Sequence, residues 1–262
     1  MSESIDGVYV SSCLKALESY HAAGPVNQSI RGFMSAEANI EAPAKAAIIG
    51  EAILSFSGNL GKENRTDAQN AFFHATLIAT RDHPGEDQGQ AWYRKFCDVM
   101  SNTGWMPIST FYSDMEIGGT SVRMDKLVLE ILGSAITAAA LPGPTSALML
   151  KVASDAVTAL KKRDTALTLY ENNLLDQGVG GMAAGACSEV DGEAKMSIGV
   201  VRFKRRNRSD KVLFVDVDVR NVKIYRGETV FSKNDVVARA TRSKVEEYIT
   251  ANALNKIAEY QI

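Results

Sequence analysis

The chain has 262 residues, 45% of them hydrophobic and 23% charged, with 29 Lys and Arg against 31 Asp and Glu. This composition can bury a sizeable core and excludes intrinsic disorder, collagen-like repeats and a disulfide scaffold. The near-neutral total announces no nucleic-acid partner but hides a polarity, net −9 over residues 1–194 and net +7 over residues 195–262, which predicts two parts with different surfaces.

The acidic start, Met1 to Gly7, has neither the basic nor the apolar region of a secretory signal. It predicts a chain that is cytoplasmic as synthesised, or one released or exported by a route that needs no signal peptide. Residues 4 to 23 place Ile5, Val8, Tyr9, Cys13, Ala16, Leu17 and Tyr20 at helical spacing, and Gly24-Pro25 ends the run. Ser35 to Phe56 is rich in Ala and Ile, with a boundary or kink expected at Pro43. Thr66-Asp-Ala-Gln69 has the form of a capping box and predicts a helix carrying Phe72, Phe73, Leu77 and Ile78 that stops near Asp82-His83-Pro84-Gly85. A further helix is expected from Gln88 to Asn102, capped by Gly104, with Trp92, Phe96, Val99 and Met100 as its apolar stripe. Trp105 to Tyr112 reads as a strand, and Pro107 places it at a sheet edge.

From Arg123 the pattern predicts a long αα-hairpin: a helix to Leu141, a tight Pro142-Gly-Pro144 connection, and a second helix towards Asn173. Beyond a Gly- and Ala-rich junction at Gly178 to Gly185 the period changes to two. Lys195–Lys204 and Lys211–Tyr225 then read as a hairpin: a two-residue turn at Asn207-Arg208 sets Val200 against Val215 and Ile198 against Val217, and a four-residue turn shifts the pairing by two with the apolar face kept. A bulge at Arg220-Asn221 and a closing helix from Ser243 to Tyr260 complete the expectation. The resulting fold class is α+β: a helical N-terminal two-thirds with a long αα-hairpin, then a small antiparallel β unit and a C-terminal helix. The corresponding domains are an α-helical one over 1–177 and a β-rich one over 178–262.

Chemistry-bearing motifs are sparse. Cys13, Cys97 and Cys187 form no CxxC pair and read as reduced, partly buried thiols. His21, His74 and His83 have no partner at ligand spacing, and no GxSxG or kinase signature occurs. Asp216 and Asp218 share one face of a strand and are the best acid–base pair, but on its polar side, where a solvated face is the simpler reading. Gly178-Val-Gly180-Gly-Met-Ala183 spells part of a dinucleotide fingerprint, yet a helix precedes it and strands follow, the reverse of what a bound pyrophosphate requires. Trp92 and Trp105 read as core anchors.

Two features remain. Lys204, Arg205, Arg206, Arg208 and Lys211 gather at the expected turn, where they are solvated or meet an anionic surface. The segment Ile131–Leu150 carries no charge, although Pro-Gly-Pro interrupts it and argues against a single spanning helix. It is either a core hairpin built from small residues or a concealed tip that enters a bilayer. Together these features predict a non-enzymatic membrane-active protein of the pore-forming toxin or virulence-factor kind. Its insertion candidates are Ile131, Leu132, Ile136, Leu141, Leu148, Met149 and Leu150. The expected partner is an anionic lipid membrane or a protein receptor, with self-association compatible, and neither cofactor, metal nor specific nucleic acid is called for. The alternatives are a soluble interaction or scaffold protein and, less favoured, an enzyme whose site forms only in the fold.

Overall fold

In a computed structural model, residues 5–24, 45–118, 121–164, 166–168, 170–171, 180–203, 214–218, 224–252 and 258–261 are described. Two tight turns organise the sheet. Gly50, at φ +58°, and Glu51 join β1 (Lys45–Ile49) to β2 (Ala52–Phe56), with Ile49 opposite Ala52. Asp191 and Gly192, at φ +51° and +81°, join β5 (Gly180–Val190) to β6 (Glu193–Phe203), with Val190 opposite Glu193. An Asp-Gly pair with both φ positive is the turn whose twist matches an antiparallel pair of strands.

Between and after these hairpins come α1 (Ile5–Ala22), α2 (Lys62–Asp82), α3 (Gly89–Asn102), β3 (Trp105–Met115), β4 (Ser121–Val122), α4 (Met124–Ala138) and α5 (Gly143–Lys161) before β5. Then follow β7 (Val217–Asp218), β8 (Ile224–Lys233), α6 (Asp235–Asn252) and β9 (Ala258–Gln261). Seven strands form one mixed sheet in the order β3-β8-β6-β5-β2-β1-β9, and β4 and β7 make a separate two-stranded ribbon. The β2–β5 pair is parallel, with Ala52 beside Ala183 and Phe56 beside Cys187.

Helices cover both faces. On one, α2 and α3 bury Phe72, Phe73, Leu77, Trp92, Phe96 and Met100 over the Met196, Ile198 and Val200 side of β6, and α1 and α6 add Leu17, Val245 and Ile249. On the other, α4 and α5 bury Leu127, Val128, Ile131, Leu132, Ile136, Met149 and Val157 over Met182, Ala184, Val201 and Phe203. Gly199 permits the close seat of α4. A Cβ there would stand 2.6 Å from the Leu132 amide nitrogen and 2.9 Å from the Val128 carbonyl oxygen.

This α/β architecture corrects the expected helical body with a small β unit appended. Strands and helices interleave along the chain, and β1, β2 and β3 share one sheet with β5, β6, β8 and β9. The Ala- and Gly-rich segment expected to be a junction is β5, in the middle of the sheet, where a Cβ on Gly185 would come within 2.5 Å of the Leu54 side chain. The expected hairpin partner of β6 is also replaced. β6 pairs with β5 on one side and β8 on the other, Ile198 lying opposite Thr229 and Val200 opposite Gly227. Val215 is exposed, and Val217–Asp218 pairs with Ser121–Val122. The turn at Asn207-Arg208 and the bulge at Arg220-Asn221 lie outside the described residues. β3 does take the sheet edge, with a register shift between Pro107 and Ser109. α2 starts at Lys62, four residues before the expected capping box, and Thr66 Oγ1 donates back to the Lys62 carbonyl. The closing helix ends at Asn252, and Ala258–Gln261 adds an antiparallel strand to β1.

Candidate functional site

The uncharged segment forms the free end of the α4–α5 hairpin. α4 ends at Ala138, and the Ala139 and Ala140 amides bond back to the Ala135 and Thr137 carbonyls. Ala140 sits at φ +49°, a left-handed position usually filled by glycine. Pro142 precedes α5, Pro144 lies in its first turn, and Ser146 Oγ donates to the Leu141 carbonyl.

The seven insertion candidates divide by face. Ile131, Leu132, Ile136 and Met149 are buried against the sheet, Leu141 and Leu150 are half-buried at its margin, and Leu148 is 38% exposed. The outer surface of the tip consists of Ser134, Thr137, Ala138, Ala140, Pro142, Gly143, Pro144, Ala147 and Leu148, all exposed and none charged. Charge returns at the hairpin's flanks. Lys126 and Glu130 are exposed on α4, Lys161 closes α5, and Lys151 pairs with Asp155 at 2.5 Å. Among the described residues, no helix is long and apolar enough to cross a membrane. At about 1.5 Å per residue, the 15 residues of α4 reach roughly 22 Å, short of a hydrocarbon layer about 30 Å thick. The five basic candidates Lys204, Arg205, Arg206, Arg208 and Lys211 lie outside the described residues.

The acid–base candidates do not converge. Asp216 precedes β7 and Asp218 lies in it, both exposed, and His83 caps α2, its backbone N–H bonding to the Ala79 carbonyl. All three thiols are buried, and desolvation pushes each of them up, Cys97 to about 12 despite its contact with Thr229 Oγ1. Such thiols stay protonated and are poor nucleophiles. Among the described residues, no group of three or more His, Cys, Asp or Glu could hold a metal ion.

Among the polar clusters hidden in the sequence, two stand out beside the buried Asp67–Lys233 pair that Arg242 joins at 2.8 Å. Glu51, on the β1–β2 turn, pairs with Arg202 of β6, both almost completely buried. The Arg202 guanidinium lies 3.9 Å over the Trp92 ring, whose Nε1–H donates to Thr80 Oγ1 at 3.0 Å. Glu51 also borders a narrow cleft lined by Phe72, Thr76, Trp92, Phe96 and Ile198. The signal was a single acid in Ile48-Ile49-Gly-Glu-Ala-Ile53 and a single base in Val200-Val-Arg-Phe203, since a lone charge in an apolar run needs a buried partner. The second cluster joins His21 to His74, 53 residues apart, with Nε2 atoms at 3.0 Å. No spacing rule announces a pair so separated.

No protein-family model matches the chain, and no curated protein matches it. Among solved structures, that of the Evf virulence factor aligns over 94% of this chain and 95% of its own length, at 8% identity and a TM-score of 0.39.

Proposed function

We propose that this protein is a non-enzymatic membrane-active protein, of the toxin or virulence-factor kind, that meets the bilayer with the tip of its α4–α5 hairpin. One observation carries the reading. The twenty residues Ile131–Leu150 carry no charge and form the end of a helical hairpin whose exposed positions are all uncharged, with charged side chains only at its flanks. A tip of small and apolar residues loses little by leaving water at a lipid interface, whereas charged flanks oppose deeper entry. The hairpin's lengths favour a shallow seat over a span. Pore formation is the further step, in which the hairpin would leave the sheet and present Ile131, Leu132, Ile136 and Met149 to lipid. Lys204, Arg205, Arg206, Arg208 and Lys211 would supply attraction to an anionic leaflet, worth about 1 kcal/mol for each cation near the surface.

The test is dye release from anionic and neutral liposomes by the native protein and by Leu148→Asp. Leu148 is exposed, so the substitution leaves the packed face untouched. Release that requires anionic lipid, fades with salt and falls at least about tenfold in the variant is expected, a charge at an apolar interface costing more than about 1.4 kcal/mol. Equal release by a folded variant rejects the tip as the contact. A second reading, an interaction or scaffold protein whose hairpin is structural, draws on the burial of Ile131, Leu132, Ile136 and Met149 against the sheet. It is the reading to adopt if the native protein neither binds liposomes nor releases dye.

A further inference from the structure

On the opposite side of the sheet from the hairpin, α1, α2 and α6 converge on a histidine pair. His21 lies in the last turn of α1, and its Nε2 is 3.0 Å from Nε2 of His74, which is fully buried in α2. Tyr248 of α6 stacks on the His21 ring at 4.3 Å and meets the His74 ring edge-on at 5.1 Å. Arg81 of α2 closes the cluster. Its Nη1 donates to the Tyr20 carbonyl at 2.6 Å, the Gly24 carbonyl at 3.1 Å and Tyr248 Oη at 3.3 Å, and so caps the C-terminal end of α1. Elsewhere α1 buries Cys13 and Leu17, and further contacts run from Tyr9 Oη to Met106 Sδ at 3.2 Å, from Glu18 to Lys244 at 3.5 Å and from Asn102 Nδ2 to Tyr20 Oη at 3.1 Å.

A hydrogen bond between two imidazole nitrogens holds one hydrogen, so one ring must offer its lone pair. If both Nε2 atoms carry protons, two N–H groups oppose each other at 3.0 Å and the bond is lost. A single added proton keeps the Nε2–H···Nε2 bond but makes one ring a cation: on His74 it is buried beside Arg81 with no hydrogen-bond partner at Nδ1, and on the half-buried His21 it faces Lys244 and Arg81. The surroundings are mixed but lean against charge. Glu18 of α1 and Glu247 of α6 favour a cation on His21, while Lys244 of α6 and Arg81 of α2 oppose it. Towards His74 the facing charges are Arg81 and His21 itself, both opposing. Around the neighbouring Tyr20 stand Lys95 and Asp98 of α3 and Asp82 of α2.

We propose that the His21–His74 pair is an acid-opened latch that fixes the C-terminal end of α1 to α2 and α6. Burial first, then nearby cations, holds His74 down at about 3, and burial also lowers His21. Once α1 lifts, both rings return to the ordinary range near 6.5. Protons therefore bind the open state better. The closed state keeps its full advantage above about pH 6.5 and loses it progressively as the pH falls towards the folded value, by about tenfold per pH unit for each histidine that takes up a proton. The latch stands independently of the hairpin's role at membranes.

Amide hydrogen exchange on the full chain tests it, read as protection relative to intrinsic exchange at about pH 7 and about pH 5. Between these values α1 should lose about thirtyfold in protection from His74 alone, while those amides of α5 that exchange by local opening, with His74 still buried, change little. His74→Gln, which keeps an uncharged donor and acceptor, should remove most of that pH dependence. Unchanged α1 protection at the lower pH, an equal loss in α1 and α5, or an undiminished pH dependence in His74→Gln overturns the latch. If His74→Gln does not fold, the contrast between α1 and α5 in the native protein decides the matter.

Discussion

Glu51 and Arg202 show how a single side chain can be committed by the fold. Glu51 is a charge at the turn between two apolar strands and Arg202 one within an apolar strand, and neither tolerates burial without the other. Arg202→Met should therefore cost about 3–5 kcal/mol, because the Glu51 carboxylate is left uncompensated in the interior. Adding Glu51→Leu should recover most of that loss, since a well-packed apolar pair of similar volume is close to neutral. Urea unfolding midpoints of the single and double variants check both. Equal destabilisation in the two would mean that packing against Trp92, rather than the charge, is what Arg202 provides. These residues could be picked out of the sequence as buried charges, but not paired. A partner 151 positions away is set by strand order, which local pattern does not encode. The histidine pair was hidden for the same reason.

At the scale of elements, local signals served where an element is decided by its own pattern. The helices around Leu17, Trp92 and Leu127 were legible from their apolar stripes, and the place of β3 at the sheet edge from Pro107. Strand partnering was misread because alternation over Lys211–Val219 satisfied a hairpin pattern. The true hairpin turn stood at Asp191-Gly192, a dipeptide that favours two positive φ values more strongly than Asn207-Arg208. β6 is buried on both faces over nearly its whole length, so its alternation carried no inside–outside information. Small residues misled as well: Gly178 to Gly185 reads as a junction, yet the slimness of its described part, from Gly180, suits a central strand under tightly packed neighbours. The tip of the α4–α5 hairpin offers a prediction at this scale. Ala140 holds a left-handed φ that an L side chain adopts only at a cost of about 1–2 kcal/mol. Ala140→Gly should stabilise the protein by up to about 1 kcal/mol, the gain being trimmed by the freer unfolded chain. Thermal unfolding measures it. Destabilisation instead would show that the Ala140 methyl makes packing contacts that outweigh the strain.

For the whole molecule, the fold places the uncharged hairpin and the histidine pair on opposite sides of the sheet. α4 and α5 close one side of the sheet and put an uncharged tip at the hairpin's end. α1, α2, α3 and α6 close the other, with the histidine pair joining three of them. The uncharged run Ile131–Leu150 was plain in the sequence, but its division into packed and exposed faces was not. That division depends on Gly199 and the small side chains of β5 lying beneath α4 and α5. It also determines which substitutions inform: a charge at Ile136 would damage the core, whereas one at Leu148 interrogates the surface.

The most direct measurement places an environment-sensitive fluorophore on the tip through Ala147→Cys and on α6 through Glu246→Cys, both exposed positions. The native thiols are buried, so the introduced cysteine takes the label. With anionic liposomes, the label at 147 should shift to the blue and be quenched by a bilayer-resident quencher, while the label at 246 stays in water. Liposome binding with the label at 147 still in water would contradict the central claim that the hairpin tip is what meets the membrane.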